Sequence, residues 1–310
     1  MSIGNQREKV AKMPEIWYHR NQTAGYSKSA RMEVKKITNH VFNLNNLRLA
    51  VLIDAENVPR HSIKSVMEEV AIYGTPTIKR IYGDWTNPSI AGWKHSLLEN
   101  AITPIQQYSY RTGKNSSDSA MIIDAMDILY TERTDGFVIV SSDSDFTRLA
   151  IRLREAGQRV IGIGERKTPS AFIAACDKFI YIEVIHANTE ETQGDQDETR
   201  GGQDGSAAKA ETNRQKRHHI SSHQRGVKIP DETIQLIADS VADIAGDDGI
   251  VFMGELGNLI LKKQPDFDHR SYGYMSLSAM IKSIDRFEIE FRQTTDPNIK
   301  HVFVRDKEAT

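Results

Sequence analysis

The chain has 310 residues, room for one large domain or two ordinary ones, and its 39% hydrophobic and 26% charged residues suit a globular protein diluted by polar segments. No uninterrupted apolar run approaches the roughly 20 residues that cross a bilayer, so a membrane-spanning protein is excluded. The single cysteine, Cys176, leaves no partner for an internal disulfide or a Cys-based zinc site and fits a reducing compartment. With no apolar stretch ahead of a cleavage site near the start, a cytoplasmic location is expected.

The net charge of −2 is unevenly spread. Residues 1–46 carry 8 Lys/Arg against 3 Asp/Glu, and their weak periodicity reads as a basic, mostly disordered arm. Short apolar runs then alternate with helical patterns. Strands are expected at 47–54, 77–83, 102–108, 137–142, 159–164 and 178–183, with helices near 61–73, 88–100, 117–130, 144–156 and 168–175. Strands that alternate with helices imply right-handed crossovers, hence an α/β, Rossmann-like parallel sheet over 47–186 with helices on both faces. Residues 187–226 are first Glu, Asp, Gln, Gly and Ser, then basic, and read as a flexible linker. Beyond it, 227–306 shows helical spacing at Ile234/Ile237/Val241, Leu256/Leu259/Ile260 and Leu277/Met280/Ile281. Alternating residues 287–291 and 302–304 follow, separated by a turn at Asp296–Pro297–Asn298. That pattern predicts a small winged helix: three helices and a β-hairpin. Residues 229–310 hold 9 Lys/Arg against 15 Asp/Glu, so any basic face there has to be local.

In a parallel sheet ligands bind at the carboxyl ends of the strands, and those ends are acidic in this chain. The first strand runs into Asp54, with Asn57 close behind. The fourth runs into Ser141–Ser142–Asp143–Ser144–Asp145, and the helix before it opens near Asp118 and carries Asp124. A lone Asp at a strand end serves as a helix cap or turn residue. Four at converging strand and helix ends repel one another and call for a cation. An all-oxygen donor set without His or Cys selects magnesium or manganese. Such an ion activates water and stabilises the leaving oxygen in phosphodiester hydrolysis. Asp124 lies about 120° around the helix from Asp118, which makes it a supporting group, as Asn57 is if it orients Asp54. Arg111 and Lys114 are placed to hold a phosphate, and Trp85, past the second strand, to touch substrate. Neither a GxxxxGK[ST] loop nor a GxGxxG after the first strand is present.

The motifs IDAENV (53–58), KNSSDSAMIIDAMD (114–127) and SSDSDFTRLAIRLREAGQRVIGIG (141–164) resemble those of the NYN domain, a PIN-like nuclease family. The resemblance covers about 47–185. It implies a Rossmann-like sheet and metal-dependent ribonuclease chemistry, with Asp54, Asp118, Asp143 and Asp145 as the catalytic, metal-holding centre. Residues 254–284, with Tyr272–Gly273–Tyr274 and the strand at 287–291, resemble the LOTUS, or OST-HTH, domain. That resemblance implies RNA binding, or docking of a protein partner, and Lys262, Lys263, His269, Arg270 and Lys282 are the candidates for a local basic face. The expected activity is a cytoplasmic endoribonuclease dependent on magnesium or manganese, with RNA as partner. The alternative is an RNA-binding adaptor or regulator that cleaves nothing.

Overall fold

The computed structural model describes residues 47–108, 116–131, 134–187, 228–246, 248–293 and 300–309. The basic arm, the linker beyond residue 187, the turn at 296–298, and Arg111 and Lys114, expected to hold a phosphate, lie outside them.

Six strands form one all-parallel sheet in the order β3-β2-β1-β4-β5-β6: β1 Arg48–Asp54, β2 Thr75–Gly83, β3 Thr103–Gln106, β4 Gly136–Val140, β5 Arg159–Gly164 and β6 Lys178–Tyr181. Between them run α1 Ile63–Tyr73, α2 Lys94–Glu99, α3 Ser116–Thr131, α4 Thr147–Glu155 and α5 Ser170–Ala175. The central strands read as continuous apolar runs, LAVLI and FVIV, because both of their faces are covered. Leu49, Val51 and Ile53 point to one core with Val66, Val70, Trp93 and Leu97. Ala50 and Leu52 point to the other, which holds Met121, Ala125 and Ile128 of α3 and Leu149 and Leu153 of α4. β3 is shorter than the expected 102–108 and forms an edge, where Pro104, which can donate no ladder hydrogen bond, is tolerated. On β5, a Cβ at Gly162 would lie 2.5 Å from the Phe179 ring, so only glycine lets β6 approach there. β1 lies between β2 and β4, so the chain winds outward from it in both directions. The crevice at the carboxyl ends of β1 and β4 is therefore the topological switch point.

The second domain contains α6 Asp231–Ile244, α7 Met253–Lys263 and α8 Leu277–Lys282, with a three-stranded antiparallel sheet in the order β7-β9-β8. β8 is Phe287–Gln293 and β9 Lys300–Asp306; β7, Ile250–Phe252, is a strand beyond the expected β-hairpin. Three residues are too few to show a period of two. Its identity comes from pairing with β9, Val251 opposite Val304. Ile237, Val241, Leu256, Ile260, Met280 and Ile281 fill a separate core.

The two folded regions touch directly. β6 is the sheet's other edge, and the outward-facing N–H of Phe179 donates to the Pro265 carbonyl at 2.8 Å, which covers that edge. Tyr181 donates its hydroxyl to Asp266 at 2.7 Å. Arg270 places two guanidinium nitrogens on the Glu69 carboxylate, at 2.8 and 2.9 Å, and also bonds Asp268. Glu69 and Asp268 are only 6% and 7% exposed, so each depends on Arg270 for compensation of a buried charge. Lys178 lies over the Tyr73 ring beside this cluster, and burial pushes its ammonium below the usual lysine range while Asp268 opposes that shift.

Candidate acidic site

β1 delivers Asp54 to the switch point with its side chain 1% exposed. Its carboxylate accepts from the Asn57 side-chain amide at 2.6 Å, the Glu56 N–H at 3.0 Å and the Ser141 hydroxyl at 3.0 Å. Ser141, fully buried past the end of β4, accepts in turn from the Asp143 N–H at 3.1 Å. One hydroxyl thus ties the tip of β1 to the turn that carries Asp143. That turn is an N-cap: the Asp143 carboxylate accepts from the Asp145 N–H at 2.9 Å and opens the short 3-10 helix Ser144–Phe146. The cap presents Asp143 half-buried and Asp145 exposed. Asp118 comes from the first turn of α3, where a negative charge is favoured by the helix dipole, and is 6% exposed.

Asp118, Asp143 and Asp145 each bring a carboxylate oxygen to within 4.8 Å of the others. Two full charges at that distance repel by about 3 kcal/mol at an effective dielectric near 20. The consequence falls on the buried member. Desolvation, followed by the charges of Asp54, Asp143, Asp145 and Glu56, pushes the Asp118 carboxyl up to about 7. Glu56 is raised as well, by burial and then by Asp54 and Asp84. Three of the four acidic residues expected at the centre therefore share one point. Asp54 is not part of that set of three: it stands beside it, held by its own donors, and acts on Asp118 through its charge.

The supporting residues are placed as follows. Asn57 orients Asp54. Asp124 pairs with the guanidinium of Arg80 and accepts from the Tyr82 hydroxyl, so it pins α3 to β2. Tyr82 is itself fully buried against α3. Trp85 donates its indole N–H to the Ile105 carbonyl at 2.9 Å, and its ring packs partly on the core, anchoring the ends of β2 and β3. In the second domain Lys262 is exposed, Lys263 pairs with Asp243 at 2.6 Å, and Arg270 is committed to Glu69 and Asp268. Tyr272 and Tyr274 pack on the core, with hydroxyls bonded to Thr233 and Ser283. The role of Ser141 is not visible in the sequence. Its signal was only its place in SSDSD, and its bridging contact spans 87 residues.

Residues 48–183 match the model of the NYN domain, and residues 228–299 match that of the OST-HTH/LOTUS domain. Among solved structures, a protein of unknown function from Vibrio parahaemolyticus is 20% identical, over 44% of this chain and 94% of that one, with a TM-score of 0.39. An uncharacterized protein from Nitrosomonas europaea is 26% identical over 33% of this chain and 95% of that one, with a TM-score of 0.25. No curated protein matches the chain. Among the described residues no helix is long and apolar enough to cross a membrane.

Proposed function

We propose that this chain, an NYN domain followed by an OST-HTH/LOTUS domain, is a divalent-metal-dependent endoribonuclease acting on RNA in the cytoplasm. The observation that carries the reading is the convergence of Asp118, Asp143 and Asp145 within 4.8 Å at the switch point of a PIN-like sheet. The donor set fits a hard cation: it is all oxygen, and burial first, then the neighbouring carboxylates, raise Asp118 to about 7, a charge cost that a bound dication offsets. Asp118, Asp143 and Asp145 would hold magnesium or manganese, which supplies an activated water and charge neutralisation at the phosphodiester.

The protein's own groups prepare that chemistry. Asp54 fixes Ser141, Ser141 fixes the Asp143 turn, and the Asp143 cap fixes Asp145, so the carboxylates are positioned before substrate arrives. Without a cation, burial and the neighbouring carboxylates favour a proton on the Asp118 carboxyl, which limits the repulsion. Asp124 keeps α3, and with it Asp118, seated on β2. Arg111 and Lys114, in the segment leading into α3, are the cations in sequence reach to receive a phosphate.

The test is purified protein incubated with single-stranded and structured RNA, with manganese or with EDTA, beside an Asp145→Asn protein. Cleavage that needs the metal and disappears in Asp145→Asn is expected. RNA binding without cleavage under every metal condition would instead establish the chain as an adaptor.

A further inference from the structure

The basic face expected on the second domain is largely engaged, since Arg270 and Lys263 are paired with acids and the two tyrosines are in the core. The wing sheet offers a different surface. Its register places Val251, Val304 and Ile289 together on one face, packed on the core. The opposite face collects Phe252, Phe303 and Glu290 in one row, with Arg292 and His301 to one side and Ile250, Arg305 and Glu288 to the other.

Three rings cluster there. Phe252 lies 5.3 Å from His301 and 5.7 Å from Phe303 between centroids, and His301 lies 6.4 Å from Phe303. Phe252 is 37% exposed, large for a phenylalanine in a strand, and His301 is exposed too. The Arg292 guanidinium lies 4.5 Å from the Phe303 centroid and makes two bonds to Glu290, at 2.8 and 3.1 Å. A concavity of about 210 Å³, lined in part by Ile250, Glu288, Phe303 and Arg305, adjoins the rings.

We infer that this face binds single-stranded RNA by stacking its bases on Phe252 and His301, with Phe303 and its Arg292–Glu290 cover as backing and Arg305 at the margin for phosphates. Clustered π-faces bordered by guanidinium groups suit unpaired bases, which stack without regard to sequence, whereas duplex bases are already stacked on each other. Arginine and histidine here face Glu288 and Glu290 at nearly balanced charge, so stacking supplies the affinity and salt weakens it only gently. That RNA is the ligand rests on the nuclease reading; the placement of the rings does not.

The experiment uses the full chain in EDTA, so that binding is read without cleavage, and fluorescence anisotropy. The probes are a short single-stranded RNA and its abasic counterpart of equal length and charge. Wild type is expected to bind the base-bearing strand about tenfold tighter; Phe252→Ala is expected to remove about that factor, and Phe303→Leu, by taking away the backing, part of it. Phe252→Trp should retain it. Equal affinity for the two strands, or variants that bind as wild type does, would overturn the proposal. Phe252 is exposed, so its variant decides the matter if Phe303→Leu fails to fold. Failure of the nuclease reading shows separately: base-dependent binding would persist while manganese produced no cleavage.

Discussion

Replacing Asp118 with asparagine keeps the shape of the side chain and removes the charge that suffers most in the acidic site. Folding raises the Asp118 carboxyl from 3.8 to about 7, so the folded protein holds that proton more tightly than the unfolded chain does. The associated stability is fully present below about pH 4 and is lost as pH rises through about 7. At 1.36 kcal/mol per tenfold change in proton affinity the ceiling is about 4 kcal/mol. Asp145 faces solvent, and screening of the exposed partner charge reduces the ceiling to about 2 kcal/mol. For a folded unit of this size that corresponds to about 4–8 °C in melting temperature. In EDTA, wild type and Asp118→Asn should melt together near pH 4, separate between pH 4 and 7, and differ by that amount at pH 8, with the variant the more stable. Adding manganese at about a hundred times its dissociation constant should raise wild type by about 2.7 kcal/mol and reverse the order. Thermal melts over a pH series, with and without metal, measure both effects. Parallel curves in EDTA, or a variant less stable at pH 8, would refute the reasoning.

Asp124→Asn should slow cleavage less than Asp145→Asn does, yet lower stability by about 1–3 kcal/mol, because Arg80 and Tyr82 lose a charged acceptor; kinetics beside urea melts separate the two effects. Arg270→Ala strands two buried carboxylates and should cost about 3–5 kcal/mol or release the contact between the domains. Faster hydrogen exchange at the Phe179 amide reports that release, and Arg270→Lys, lacking the planar fork, should not restore protection. Cys176 is 1% exposed and pushed up to about 12, chiefly by burial, so thiol reagents should modify it only as fast as the protein unfolds.

The parallel sheet was legible because strands buried on both faces have no polar alternation to confuse them, and each carries its own turn chemistry. The acidic centre was legible for a related reason: Asp54 and Asp143 sit where apolar runs stop, and the doubly wound order brings those stops together. Three things were not legible. The role of Ser141 depends on the tip of another strand, 87 residues away. β7 is too short to show periodicity and exists through its partner. The pairing of Arg270 with Glu69 joins residues 201 apart, and nothing local distinguishes such an arginine from one facing a phosphate.

That pairing changes what residues between the two domains can control. A flexible tether sets how often two sites meet, through its length. Here the edge of β6 and the Arg270 clasp join the domains directly, so the spacing between the wing and the carboxylates belongs to the folded protein. An RNA held at one end and cut at the other would then be measured, as on a ruler. Its scissions would fall a constant number of nucleotides from the stacked bases, and lengthening the intervening polar segment would leave that number unchanged.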